Sequence, residues 1–173
     1  MNSKIKKFER PSWHDHWLGI AKVVAKRSTC LRRRFGAVVV KNNVLLASGY
    51  NGAPRNTPNC TDLGRCYRKE RNIPSGSHYE KCRSVHAEAN TIINSAREGI
   101  SIKDTVMYLY GENFDDNSVI EAKPCKMCRR MIINVGITKV ITSYNNKIIT
   151  YEAQSWIDET NKDPFKELDE EGY

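Results

Sequence analysis

Nowhere in the chain is there a run of about 18 apolar residues, so a membrane-spanning helix is excluded on sequence grounds. The start, "MNSKIKKFERPSW", has basic residues but no apolar stretch behind them; it is not read as a secretory signal, and the cytoplasm is the expected compartment, with no membrane partner. Internal repeats and low-complexity tracts are also lacking, which excludes solenoids and disordered linkers. What remains is an ordinary globular composition, 39% hydrophobic and 28% charged, in 173 residues. That length can bury a real core without disulfides or metal. One domain is expected over residues 1–163, with a frayed tail over 164–173.

Acidic residues are the scarcer charge. Twenty-eight Lys and Arg stand against 20 Asp and Glu, a net charge of +8. The positive residues gather in "KIKK", in "RRR" at 32–34, in "RKER" at 68–71 and in "KMCRR" at 126–130. Such a distribution suits a phosphate-bearing ligand, a nucleotide or a nucleic acid. Six cysteines, at 30, 60, 66, 82, 125 and 128, are many for a reducing compartment. Metal ligation or catalysis explains them better than disulfides, and small buried apolar residues are the alternative.

Periodicity gives the elements. Ser12 is placed to cap a helix carrying Trp13, Trp17, Ile20, Val24 and Ala25. His14 and His16 lie two apart in it and so face different ways, as surface or packing histidines. "FGAVVVKNNVLLASGY" reads as a hairpin around Asn42 and Asn43, because asparagine tolerates the positive φ of a tight turn. An irregular stretch follows to His86, long enough to require pinning or a function. A helix then runs from His86 until Gly99 stops it, followed by the strand "TVMYLYG", a polar loop with at most a short excursion of structure, a helix opened by Pro124 and stopped by Gly136, and the strand "TKVITSY". "NKIITYEAQSWIDETNKD" adds a short strand and helix. Helices alternating with strands place the chain in the α/β class, with a mixed sheet covered by helices.

The chemistry concentrates in "SVHAEANTII" and "PCKMC". Cys125 and Cys128 are three apart at a helix start, so their sulfurs share a face, and the positive helix terminus favours thiolates. His86 also stands at the mouth of a helix. If the two helix starts face each other, one His and two Cys make three zinc ligands and leave a fourth position for water, the arrangement of a catalytic rather than a structural zinc. Glu88, two residues from His86, cannot share its helix face and is expected to move protons instead of binding the metal.

H-x-E followed by P-C-x-x-C is the signature of zinc-dependent deaminases. With "GYNGAPRN", "VHAEANTI" and "PCKMCRRMIINVGITKVI" in this order, the chain resembles the deoxycytidylate (dCMP) deaminase family of the cytidine deaminase superfamily, including its late-competence branch, over roughly Trp13 to Tyr144. The resemblance implies a three-layer fold with a mixed central sheet of about five strands flanked by helices. It also implies Zn²⁺ on His86, Cys125 and Cys128, Glu88 as proton shuttle in conversion of dCMP to dUMP, Asn51 at the sugar and the backbone around Ala87 at the pyrimidine. For the phosphate, Arg32 to Arg34 or Arg97 are the candidate cations. Homo-oligomers, often hexamers, with dCTP and dTTP as effectors are implied by the resemblance alone. Some members carry a second, structural zinc, for which Cys30 and Cys60 stand in matching places, with His78 and Cys82 as partners and Cys66 as a competitor. The segment "YGENFDDNSVIEAKPC", with residues 111–123 inserted before Cys125, is longer than the family connection and leaves substrate identity open. The same zinc chemistry serves deaminases of adenosine or cytidine in RNA or DNA, but no cluster of aromatics marks a base-stacking surface. A non-catalytic zinc scaffold would leave Glu88 without a role.

Overall fold

The computed structural model describes residues 9–165, so most of the 164–173 tail lies outside the described residues. Six helices and five strands follow in the order α1 (Trp13–Ala25), β1 (Arg33–Lys41), β2 (Val44–Tyr50), α2 (Cys60–Leu63), α3 (Tyr67–Glu70), α4 (Ala87–Arg97), β3 (Thr105–Asn113), α5 (Lys126–Val135), β4 (Ile137–Tyr144), β5 (Lys147–Glu152) and α6 (Ala153–Lys162). The strands form one sheet in the order β2-β1-β3-β4-β5. β3 and β4 run parallel and every other pair is antiparallel, so the sheet is mixed as expected. The one parallel step is bridged by α5, because a parallel pair needs a crossover long enough to return to the same end of the sheet.

Helices cover both faces, and the period-2 alternation of the strands decides which side chain meets which helix. Val38, Val40, Tyr108, Tyr110 and Ile141 point towards Trp17, Leu18, Ala21 and Ala25 of α1. Their neighbours Ala37, Val39, Met107, Leu109 and Val140 point the other way, into a core shared with Ala87, Cys128, Ile132 and Trp156 of α4, α5 and α6. The apolar stripe of α1 is thus 17, 18, 21 and 25, and Trp13 stands half exposed against Trp17. Ser12 caps the helix, accepting a hydrogen bond from the Asp15 amide at 3.1 Å. His14 meets the Tyr108 hydroxyl at 3.1 Å and His16 packs edge-on against Trp17, so neither joins a metal group.

The hairpin turns at Asn42 and Asn43, with φ of 51° and 58°. Gly49 and Gly36 are close-approach positions. A Cβ on Gly49 would lie 2.5 Å from the Thr91 amide nitrogen of α4, and one on Gly36 would lie 2.2 Å from the Ala21 carbonyl oxygen of α1. The two helices rest on the sheet backbone there.

The irregular stretch 51–85 carries the short helices α2 and α3 and a 3-10 turn at Tyr79–Lys81. Residues 111–123 are more ordered than the sequence suggests. β3 continues to Asn113, the chain turns through Asn117 at φ 57°, and it returns with Val119 bridged to Glu112. The insertion is therefore a small hairpin extending β3, closed by Asn113 N–H to Ser118 carbonyl (2.9 Å) and Ile120 N–H to Gly111 carbonyl (3.0 Å).

Gly36→Ala should destabilise the fold by about 3 kcal/mol, since the added methyl meets main chain that cannot yield. Urea denaturation should show a lower midpoint with an unchanged slope; an unchanged midpoint would mean that α1 does not sit this close.

Candidate metal centre

Two helix starts meet at the end of the sheet where β1 begins and β3 ends. His86 is the N-cap residue of α4, and Cys125 is the N-cap residue of α5. α5 begins two residues after Pro124, so Cys125 precedes the first turn and Cys128 lies within it. The "GYNG" loop sets the position of His86. Gly52 and Val85 exchange both backbone hydrogen bonds, at 3.2 and 2.8 Å, and Asn90 donates to the Tyr50 carbonyl at 2.7 Å.

His86 Nδ1 stands 3.4 Å from the sulfurs of both Cys125 and Cys128. Among the described residues this trio is the one group of metal-ligating side chains whose donor atoms all lie within 4.8 Å of one another. Zinc bonds of about 2.3 Å to sulfur and 2.0–2.1 Å to nitrogen, at tetrahedral angles, separate N and S by roughly 3.5 Å. Spacing and donor chemistry both fit a zinc ion held by one imidazole and two thiolates.

The electrostatics prepare the donors. Cys125 is held well below the usual thiol range by its hydrogen bond with Cys128, reinforced by His86, and Cys128 is pushed up by the same bond and by burial. At His86 burial works downwards, but the hydrogen bond to Cys125 and the charge of Glu88 outweigh it and raise the imidazole. Glu88 is buried and stands outside the ligand trio. Burial lifts its carboxyl above the ordinary value, against the opposing charge of His86. A buried carboxyl beside a metal trio is a candidate for proton transfer.

Above the trio opens a cavity with cationic walls: Arg32, Arg33, Lys81, Arg83 and Lys123 line it, with Phe35, Asn51, Tyr79 and Ala87 deeper. Asn51 is occupied in part: its amide oxygen accepts from the Phe35 amide at 2.7 Å and its nitrogen donates to the Arg33 carbonyl at 2.9 Å. Tyr79 packs edge-on against His86 at 4.8 Å, and Arg68 lies over its other side while donating to the carbonyls of His78 and Pro74. Burial and the charge of Cys125 push the Tyr79 hydroxyl up to about 12.

Three of the candidate residues stand apart from the cavity. Arg34 does not reach the cavity; it pairs with Glu112 at 2.9 Å and contacts Asn117 and Phe114 on the opposite face of the sheet. Strand alternation sends Arg33 and Phe35 inwards instead. Arg97 ends α4, roughly 15 Å along the helix from the His86 end at 1.5 Å per residue, and does not line the cavity. His78 does not line the cavity; its ring pairs with Glu80 at 3.1 Å. Cys30, Cys60, Cys66 and Cys82 do line one side of the cavity together, and burial followed by the charges of the other three raises the Cys60 thiol. No three of these four thiols meet the spacing of the His86 trio. Tyr79, Lys123 and Glu121 escaped sequence reasoning because no spacing ties them to the motifs, whereas Arg33 stood among the Arg32 to Arg34 candidates.

Residues 11–144 match the family described as the cytidine and deoxycytidylate deaminase zinc-binding region, and the chain belongs to that family. A deoxycytidylate deaminase of Mycobacterium phage D29 is 35% identical over 136 residues, covering 76% of this chain and 94% of that protein. One from Schizosaccharomyces pombe is 35% identical over 138 residues, 79% of this chain, which spans only 39% of that relative's length. A dCMP deaminase from the cyanophage S-TIM5 superposes with a TM-score of 0.55 at 25% identity, over 80% of this chain and 89% of that one.

Cys128→Ser should leave purified protein with a small fraction of the wild-type zinc at the trio, read by elemental analysis after brief chelator treatment. Full retention of metal would remove Cys128 from the ligand set.

Proposed function

We propose that the chain is a hydrolytic deaminase that converts dCMP and water to dUMP and ammonia. The observation that carries this reading is the buried Glu88 carboxyl beside, and outside, a His-Cys-Cys trio at the floor of a cation-lined cavity. A zinc ion on His86, Cys125 and Cys128, when bound, supplies the Lewis acidity that makes water a nucleophile at neutral pH. Glu88 takes one proton of the attacking water and delivers it to the pyrimidine ring nitrogen, then takes the second from the new hydroxyl on the attacked carbon and passes it to the amino group, which leaves as ammonia as the C–N bond breaks and the carbonyl forms.

The remaining residues bind and orient. The start of α4 around Ala87 faces the pyrimidine, and Asn51, fixed by its two bonds to β1, keeps an amide hydrogen for the sugar. Arg33, Lys81, Arg83 and Lys123 replace Arg34 and Arg97 as the cations nearest a 5′ phosphate, and one or two of them neutralise a mononucleotide. Cys30, Cys60 and Cys82, with Cys66 or His78 as the fourth, are the candidate ligands of a second, structural zinc that would pin residues 51–85; the four cysteines line the cavity together. Assembly into a homo-oligomer such as a hexamer, control by dCTP and dTTP, and residence in the cytoplasm belong to the same reading and rest on the family resemblance. Among the described residues no helix is long and apolar enough to cross a membrane.

Ammonia release should be fastest with dCMP when it is compared with cytidine, CMP, dCTP, single-stranded DNA and tRNA. Activity confined to a polynucleotide, weakening steeply with salt, would overturn the substrate assignment. Glu88→Gln should keep its zinc while kcat falls about a thousandfold, within the usual range for a lost general acid-base group; near-normal turnover would sink the role of Glu88. Cys66→Ser should lower the zinc content by one ion per chain and the melting temperature with it, because metal binding of this kind is folding free energy. Unchanged metal and melting would leave the outlying thiols as ordinary buried cysteines.

A further inference from the structure

The inserted hairpin returns to the metal centre through residues 121–125, where side chains alternate. Ala122 and Pro124 are buried in the core, while Glu121, Lys123 and Cys125 line the cavity. Such alternation is that of extended chain, which rises about 3.3 Å per residue. Lys123 is therefore set roughly 7 Å from Cys125, and Glu121 roughly 13 Å from it. From the metal trio outwards the wall presents a cation and then, at the mouth, a carboxylate.

Glu121 is out of keeping with its surroundings. Apart from Glu88 at the floor, it is the one carboxylate among the described residues lining the cavity, and the other charged side chains around the mouth are cations. It is also held in place. The Tyr151 hydroxyl donates to Glu121 Oε1, and the Tyr151 ring stacks on Trp156 with centroids 6.4 Å apart. The hairpin behind it is anchored to the start of β1 by Phe114 N–H to the Arg32 carbonyl at 3.0 Å and by the Arg34–Glu112 pair at 2.9 Å. The Tyr151 bond at its tip and the hairpin bond from Ile120 N–H to the Gly111 carbonyl beside it favour one placement of the carboxylate at the cavity mouth.

We infer that Glu121 is a specificity-determining residue that limits the phosphate chain of the substrate, accepting a nucleoside monophosphate and turning away the diphosphate and triphosphate. The inference rests on the nucleotide-deaminase reading above. With the amino-bearing carbon at the metal trio, ring and sugar extend along the wall past Lys123, and the first phosphate meets the cations. A second phosphate must extend towards Glu121, where like charges face each other. Their repulsion over several ångströms at the edge of a protein corresponds to about a tenfold loss in binding.

The test is a comparison of kcat/KM for dCMP and dCDP by zinc-loaded wild type, Glu121→Gln and Tyr151→Phe, together with calorimetric binding of dUMP and dUDP. Wild type should favour the monophosphate by about tenfold or more. Glu121→Gln should cut that ratio about fivefold or more, through a lower KM for dCDP and tighter binding of dUDP, and Tyr151→Phe should move it the same way by less. A ratio unaltered within about twofold, or one that falls only because kcat with dCMP drops, overturns the inference while leaving the deaminase reading intact. Absence of dCMP turnover and of dUMP binding in the wild type overturns both.

Discussion

The site depends on two helix N-termini being brought face to face. His86 and Cys125 each occupy the N-cap position, where the backbone leaves the extended region and the side chain projects past the helix end. Neither helix alone places more than part of the donor set. The 3.4 Å separations between Nδ1 and the two sulfurs exist because α4 and α5 pack on the same face of the sheet and start at the same end of it. Gly49 lets α4 press against β2, and Gly52 in the loop after β2 is bonded to Val85, so the register of that contact passes directly to His86.

Burial then differentiates groups that sequence alone presents as equals. Glu88 is enclosed beside the trio and its carboxyl is raised, whereas Glu121 sits at the mouth, exposed, with Tyr151 on its oxygen. The first is suited to moving a proton and the second to presenting a fixed negative charge. Around them the cavity collects cations from β1, from the 51–85 stretch and from the inserted hairpin. That arrangement gives the net charge of +8 a local meaning that the composition could not supply.

Much of the fold was legible. The Asn42-Asn43 hairpin, the Ser12 cap, the Gly99 and Gly136 stops and the strand-helix-strand order after His86 are set by local backbone chemistry and periodicity, and the structure places them where the residues indicated. The insertion was less legible, since polar residues such as Asp115, Asp116 and Asn117 are equally at home in an open loop and in a hairpin turn. Its pairing with β3 is a long-range property of the sheet. The choice between Arg33 and Arg34 lay in between, because it turns on the phase of an alternation that is settled only once the core face is known.

The sequence by itself marked the His86, Cys125 and Cys128 trio and singled out Glu88 beside it, because metal ligation and general acid-base chemistry demand particular side chains at helix starts, and those demands are written as H-x-E and P-C-x-x-C. The tertiary structure alone decided which charges share the cavity with them. It turned Arg34 away, left Arg97 at the far end of α4 and brought Lys123 and Glu121 in. The physical reason is that ligand geometry is enforced within a turn of helix, whereas a pocket wall is assembled from chain segments distant in sequence and facing a common volume.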